Sequence, residues 1–478
     1  MLSFIQVGQA GAKGGGMIAA ALAAAAPALF FGCVSPSPQA LDQAQLTSVS
    51  ESRQRLGPQT ELALTLKEVG ILPTDLGAPD AKASPRTPNF WRATALAWDP
   101  EIRRARRQLE VALGRELSAG SPGPLGLGGE VNGDDDLTGG IQGSFDLIGV
   151  LGLEPSAAAV VLARSNTSLA LATLEERAWS TRFEVDADRV RLAAVRARIS
   201  VLKDLAAEAE ADFGRFDALL ESGRVGHGIV SRGRAMLFGL HDQVGILRTM
   251  EATLLAALAR RSGLRADHPA LEAVTPEVLG ERPTPPNSLS TRHDRDRVLA
   301  RIYEQLPSLR RARREYAVAE AQLRVAAAAS WPALRIGPKL SIGDNLIPGG
   351  LVAIELPFPG SWEGGVAAAH TTRNDSRERI EDLLINQMNE VTARLAAFRS
   401  RRAAVEDSAR QRELYAGRAW RAARASVLVN EKFLSRWIDA FESRGPSLVG
   451  LVNAREDEAL AALDLQRLGG PSQGGARP

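Results

Sequence analysis

Two stretches of the chain repeat apolar residues at alternating steps of three and four. In the first, Val195, Ile199, Leu202, Ala206, Ala209, Phe213, Phe216 and Leu220 keep this rhythm; in the second, Leu384, Met388, Val391, Leu395, Phe398 and Val405 follow it, with Arg402 interrupting. A repeat of ~3.5 residues keeps a seam facing a partner helix and implies left-handed supercoiling. Both stretches lie in proline-free runs, residues 156–268 and 360–445, and shorter runs of the same kind cover 101–121 and 308–331. Proline in a helix interior removes a hydrogen bond and costs ~3 kcal/mol, so each run predicts helix. Residues 156–222 as one helix would be about 100 Å long at ~1.5 Å per residue. No compact domain hides a rod of that length, and it must lie along other long helices.

Proline and glycine mark the joints, at residues 73–88, 120–155, 269–287, 332–360 and 469–478. Between the joints the chain repeats itself. Asp99-Pro100-Glu-Ile-Arg-Arg-Ala-Arg-Arg107 recurs as Leu306-Pro307-Ser-Leu-Arg-Arg-Ala-Arg-Arg314. Each copy opens a helix with proline near its start, where the missing N–H costs nothing. Each helix then runs into a Pro/Gly segment and two short apolar stretches, Leu125–Val131 and Ile141–Leu147 in one copy, Leu334–Ile342 and Leu351–Phe358 in the other. The Asp-, Asn- and Gly-rich turns between them, Asn132–Asp136 and Gly343–Asn345, predict hairpins. A very long helix follows, then a break, Glu221–Gly226 or Glu442–Pro446, then a shorter return helix. The order helix, strand, strand, long helix, return helix thus occurs twice, about 210 residues apart.

The N-terminal segment carries an address. Lys13 precedes a 15-residue apolar run, Met17 to Phe31, followed by Gly32-Cys33. A basic start, a short apolar stretch and a small residue at the cut site predict a secretory signal; the run is shorter than the ~20 residues that span a bilayer. Cys33, the only cysteine, sits directly after the cut as in a bacterial lipoprotein signal, which makes it a candidate for lipidation, with Val-Ser-Pro-Ser-Pro38 as a polar tether behind it. The alternative is an ordinary signal peptide with an incidental cysteine. The organisation expected is a signal peptide over 1–32, a tether and lead-in over 33–89, the first repeat over 90–268, a proline-rich linker over 269–290, the second repeat over 291–468 and a disordered tail over 469–478.

This duplicated order, with its proline-bearing helix entries, resembles the TolC-like outer-membrane efflux family over roughly residues 90–468. The segment Ile354-Glu-Leu-Pro-Phe-Pro-Gly-Ser-Trp-Glu-Gly-Gly365 looks like the family's return from strand to helix and is closest in wording to its heavy-metal efflux branch. The resemblance implies a mainly α protein: two tandem repeats of long coiled-coil helical hairpins, each with a short antiparallel strand pair. It implies a homotrimer whose helices form an α-barrel tunnel and whose strands form a 12-stranded β-barrel, full or reduced. It also implies an outer-membrane location projecting into the periplasm, contact with outer-membrane lipid, and partnership with a periplasmic adaptor (membrane fusion) protein and an inner-membrane pump. Substrate would be conducted passively. Val225 and Gly226 in the first copy, and Val449, Gly450 and Leu451 in the second, resemble the Val-Gly turns by which members meet the adaptor. Glycine lets antiparallel helices turn tightly and exposes backbone to a partner; the plainer reading is that it only closes the turn. The main rival is a periplasmic coiled-coil adaptor or scaffold lipoprotein without a pore.

Composition changes this picture little. With 58 basic against 56 acidic residues, net charge +2, bulk charge gives no case for a nucleic-acid partner, and the intermixed charges read as solvated helix faces. Aromatics are only 5%, as in long packed helices. The five histidines, His227, His241, His268, His293 and His370, form no pair at metal-ligand spacing. Gly8–Gly14 lacks the Ser/Thr that a phosphate loop places after its lysine, and Asp134–Asp136 reads as a solvated loop tip. The Arg-Arg-Ala-Arg-Arg clusters read as exposed helix faces, the alternative being an entrance lining or a contact with anionic headgroups. No catalytic site, cofactor or metal site is expected.

Overall fold

The computed structural model describes residues 84–119, 126–134, 136–146, 154–280, 306–330, 333–342, 346–355, 360, 362–429 and 434–468. The expected leader, Cys33, the tether up to residue 83, the linker from 281 onward and the tail lie outside them. The elements are α1 (Pro88–Trp98), α2 (Pro100–Ala119), β1 (Gly126–Asp134), β2 (Asp136–Asp146), α3 (Glu154–Glu221), α4 (His227–Ser262), two 3₁₀ turns (Pro269–Ala273 and Pro276–Gly280), α5 (Pro307–Ala328), β3 (Ala333–Ile342), β4 (Leu346–Glu355), α6 (Glu363–Gln411), a π-helical stretch (Arg412–Ala419), α7 (Trp420–Val429) and α8 (Leu434–Leu468). The duplicated order of helix, two strands and long helix is thus present in both halves. Both predicted proline entries hold, at Pro100 and Pro307, and the long first rod spans 68 residues.

The chain divides into two compact units that cut across the sequence repeats. One contains Gln108–Leu171 and Ala312–Ile380; the other contains the stretch up to Arg107, Ala172–Arg311 and the chain from Glu381. In the first unit the four strands form one antiparallel sheet in the order β1-β2-β3-β4. The β1–β2 hairpin closes tightly, with Asp134 opposite Asp136. Pro338 lies inside β3, an inner strand. The β2–β3 ladder is broken opposite it, passing from Gln142↔Lys339 to Phe145↔Ile336, while on the β4 side Pro338 still faces Gly350. A proline has no N–H to give one of its two neighbours, and the register survives while two successive pairings are missing, Gly143 with Pro338 and Ser144 with Gly337.

The second unit owes its core to the predicted seam. Val195, Ile199, Leu202, Ala206, Ala209, Phe213 and Phe216 of α3 are all buried, packed with Leu240 and Val244 of α4, Trp420 of α7, and Leu434, Trp437, Ile438 and Phe441 of α8. Further along α3, Val185, Leu192 and Ala193 pack with Trp91 of α1, Leu258 of α4, Leu271 of the first 3₁₀ turn and Leu463 of α8. The second seam is shallower: of its apolar row only Phe398 is buried, against Ala462 and Leu465 of α8, with Val391 and Leu395 half-buried beside it.

The lead-in helix α1 is held by charge as well as by packing. Arg92 reaches Asp186 of α3 through Nε (2.7 Å) and Nη2 (2.5 Å), and Asp186 is buried. Burial pushes the Asp186 carboxyl above the usual range, against the pull of Arg92, and burial beside Arg92 lowers the Arg182 guanidinium to about 10. Asp99 both ends α1 and caps α2: its Oδ1 accepts from the backbone N–H of Glu101 (2.8 Å) and Ile102 (3.1 Å). At the far end of α4, Gly263 adopts φ 65°, and a Cβ built there would lie 2.3 Å from Cβ of Trp98.

Two outcomes follow. Gly263→Ala meets left-handed strain of ~1–2 kcal/mol and a collision with Trp98 as well, so thermal unfolding should show a clear loss of stability. Arg92→Met leaves a buried carboxylate without its ion-pair partner and should cost ~3–5 kcal/mol, whereas Arg92→Met with Asp186→Leu should recover most of it. Because Asp186 binds its proton more tightly folded than unfolded, the single variant's deficit should shrink as pH falls through the raised folded value, measured by denaturation across pH.

Candidate functional site: the hairpin tips and the clamp on the second hairpin

The first tip is built from backbone. As α3 ends, Gly223 N–H donates to Leu220 O (2.9 Å) and Arg224 N–H to Leu219 O (3.0 Å), with Gly223 at φ 70°. This pairing satisfies carbonyls that the helix end leaves open and requires a left-handed residue, which glycine supplies. The chain then extends through Val225, half-buried on the aromatic core, to Gly226, the exposed N-cap of α4 at φ −77° and ψ 144°. Of the candidates Val225 and Gly226, both therefore lie at a true hairpin turn. The residue whose backbone needs glycine is Gly223, and its signal was the Ser-Gly that follows the Leu-Leu-Glu end of the rod.

The second tip is not where the sequence placed it. Pro446 lies inside α8, and Val449, Gly450 and Leu451 are ordinary turns of the same helix, with Leu451 buried. The assumption that Pro446 ends a helix fails because the helix is anchored on both sides of it. Trp437, Ile438 and Phe441 precede the proline and Leu451 and Ala454 follow, all buried; that packing outweighs the ~3 kcal/mol that an internal proline costs. The residues between α7 and α8, 430–433, lie outside the described residues. Leu306 follows Asp99 by 207 residues (306 − 99), and the same step carries 222–226 onto 429–433.

Behind the tips, one carboxylate fastens the second hairpin to the first. Glu208 of α3 accepts through Oε1 from Trp420 Nε1 (3.1 Å) and Arg424 Nη1 (3.2 Å) of α7, and through Oε2 from Arg444 Nη1 of α8. Arg424 also reaches Asp212 Oδ1 (3.0 Å), one α3 turn on. Two guanidinium groups lie over the Trp420 ring, that of Arg444 4.8 Å from its centroid and that of Arg424 6.0 Å away. Trp420, Trp437, Phe441, Phe213 and Phe216 continue as a chain of ring contacts at 5.1–5.6 Å. Further along the same helices, Arg198, Leu202, Gln243, Ile246, Val449 and Asn453 are among the residues lining an open cleft of about 560 Å³, across which Arg198 bonds Asn453 (2.7 Å) and Glu456. Val449, displaced from the tip, is one of its walls.

The arginine clusters depart from a simply solvated face. Arg106 is buried and its Nη2 donates to Leu96 O (2.7 Å), while Arg310 and Arg311 pair with Glu175 and Glu176 of α3 (3.1 and 3.0 Å). They bind short helices to the long rod. Among the histidines, His268 Nδ1 accepts from Ala270 N–H (3.1 Å) at the head of the first 3₁₀ turn, and His241 meets Glu210 (3.3 Å) on an exposed surface. Among the described residues no group of three or more His, Cys, Asp or Glu is arranged to hold a metal ion.

No protein-family model matches the sequence, and no curated protein matches it either. Solved structures do. A membrane protein from Pseudomonas aeruginosa is similar with a TM-score of 0.69 at 15% identity, covering 83% of this chain and 95% of its own. The CmeC outer membrane channel of Campylobacter jejuni gives 0.66 at 16% identity over 84% and 93%. The outer membrane protein VceC of Vibrio cholerae gives 0.63 at 18% identity over 80% and 96%. Nearly the whole length of each of these chains is matched. The chain has the fold of the bacterial outer-membrane channels.

Proposed function

We propose that this chain is the outer-membrane channel of a tripartite efflux or secretion system, conducting substrate passively from a periplasmic adaptor and inner-membrane pump to the outside. One observation carries the reading: a body of long helical hairpins is joined to a single up-and-down sheet with two free edges, β1 and β4, among the described residues. The strands are 9, 11, 10 and 10 residues long, matching the ~9–11 that cross a bilayer. An open sheet cannot stand in hydrocarbon, because every edge N–H and C=O would lack a partner there. Three copies joined edge to edge give twelve strands and no edge, so a homotrimer in the outer membrane is the natural closure. The similarity to CmeC and to the OprN and MtrE outer-membrane channels supports the same assignment. An adaptor or scaffold without a pore would have no use for the sheet.

In this reading the first hairpin tip, Val225 and Gly226, faces the adaptor, and a lipid on Cys33 adds a second hold on the membrane. The work is done by the pump, and the helices supply a path. Membrane fractionation with native mass measurement should find a trimer in the outer membrane, and the purified trimer should conduct ions across a planar bilayer. A soluble monomer without conductance would leave the scaffold reading instead. Mass spectrometry of the mature chain should show Cys33 as an acylated N-terminus; an N-terminus at Met1 overturns that part.

The tip can be tested without disturbing the fold. A side chain at Gly226 would meet nothing within 4 Å, and the residue is exposed. Gly226→Trp should therefore leave protein level and unfolding temperature unchanged while lowering export, read as intracellular accumulation of pump substrate, by about tenfold or more, the usual effect of blocking a contact worth ~1.4 kcal/mol. Unchanged export would remove Gly226 from the adaptor contact.

A further inference from the structure

Arg182, Asp186 and Arg189 follow one another along α3 at steps of four and three, so they share one face of the helix. Arg92 of α1 joins them there, bonding Asp186 through Oδ2. Three guanidiniums thus gather around a single carboxylate. On the neighbouring face of α3 the charges are better matched, with Arg261 held between two carboxylates, Glu184 and Asp188.

Neutral acceptors do not make up the difference. Arg92 Nη1 has Asn89 Oδ1 at 3.5 Å, and Arg189 Nη2 donates to Arg86 O at 3.3 Å. Arg182 has less: its Nε is buried without an acceptor among the described residues, and its guanidinium lies 5.8 Å from the centroid of the Trp179 ring. The Asp186 Oδ1 is also buried and unbonded among them, but a bond from Arg182 to it would still leave one carboxylate for three cations. Proton loss gives no relief. Burial and the nearby Arg92 lower the Arg182 guanidinium only to about 10, so at neutral pH its charge remains. A poorly solvated cation without a matching anion is costly. Arg182 is nonetheless half-buried, not sealed, so a small solute can reach it.

We propose that this junction of α1 and α3 is a binding site for one phosphate-class oxyanion, free phosphate or a small phosphate monoester, with Arg182 as its principal ligand and Arg92 and Arg189 beside it. Guanidinium forks match the oxygen spacing of phosphate. The charge matches as well: three cations against one carboxylate leave an excess of two, which a phosphate near its dianion neutralises and a carboxylate only halves. Once bound, the anion braces the lead-in helix α1 on α3. The inference concerns the chain alone and stands whether or not the protein conducts.

The test uses the full-length protein purified from membranes in a neutral detergent at neutral pH. Thermal unfolding is compared in chloride, acetate and inorganic phosphate at equal ionic strength, and equilibrium dialysis with radiolabelled phosphate measures binding directly. The unfolding temperature should rise with phosphate concentration, as for a ligand that binds only the folded chain, with about one phosphate retained per chain. Arg182→Met should weaken phosphate binding by about tenfold or more, the loss of a charge-assisted contact. In chloride the same variant should unfold no lower than the wild type, because it removes an unmatched cation, and phosphate should reverse that order. Arg410→Met, at an exposed ion pair on α6, should behave as the wild type. If Arg182→Met does not accumulate, Arg182→Lys decides: it keeps the charge but loses the fork, and its phosphate affinity should still fall. Dialysis that retains no phosphate overturns the proposal, as does equal stabilisation of the wild type and the Arg182 variants, which would be a general salt effect. Acetate as effective as phosphate overturns the assigned ligand class. An Arg182→Met chain less stable than the wild type in chloride shows that the protein already satisfies Arg182, and the proposal falls.

Discussion

Everything in the helical unit depends on covering one side of α3. A rod of 68 residues gains little from helix propensity alone and owes its persistence to the apolar row that α4, α7 and α8 cover in turn. The row is continuous from Val185 to Phe216, so no part of the seam can slip without displacing the next. Its two ends are secured differently. Near the tip it is aromatic, with edge-on, tilted and stacked ring pairs, each pair worth ~0.5–1.5 kcal/mol beyond its buried area. Toward α1 it is ionic, with Arg92, Asp186, Arg182, Arg261, Glu184 and Asp188 crowded among buried apolar neighbours. Charged pairs in such surroundings add little net stability, but they tolerate only one alignment. They fix which residues of α1 and α4 meet α3.

Most of this arrangement was legible from periodicity and proline. The seam of the first rod, its length to within two residues at each end, the two proline entries and the doubled order of elements were all readable, because each is enforced locally: steps of three and four demand a helix, and proline forbids its interior. The strand hairpins were readable through their Asn, Asp and Gly turns, although Gly-rich β1 and β2 alternate poorly. Their ends were misjudged by a few residues because ladder bonds, not side-chain pattern, carry β1 out to Asp134.

What could not be read locally was any place where packing overrules propensity. Pro446 looked like a terminus, and the tip was placed at Val449–Leu451; only the burial of Phe441 and Leu451 on either side reveals an uninterrupted helix. The π-helical stretch has no signature either, since Arg412–Ala419 is a run of good helix formers with one glycine. The arginine repeats concealed Arg106 for the same reason: its partner, the carbonyl of Leu96, belongs to the preceding helix.

The two free edges of the sheet carry a consequence for how the molecule is made. The α3 seam of the helical unit finds its cover within the same chain, from α1, α4, α7 and α8. The β1–β4 ribbon does not, since its outer strands offer unpaired amides to any neighbour, its own kind or not. If three copies close the sheet as proposed, that step depends on concentration, whereas folding of each chain's own rods does not. On that closure, a cell would have to shield newly made ribbons until enough copies had gathered.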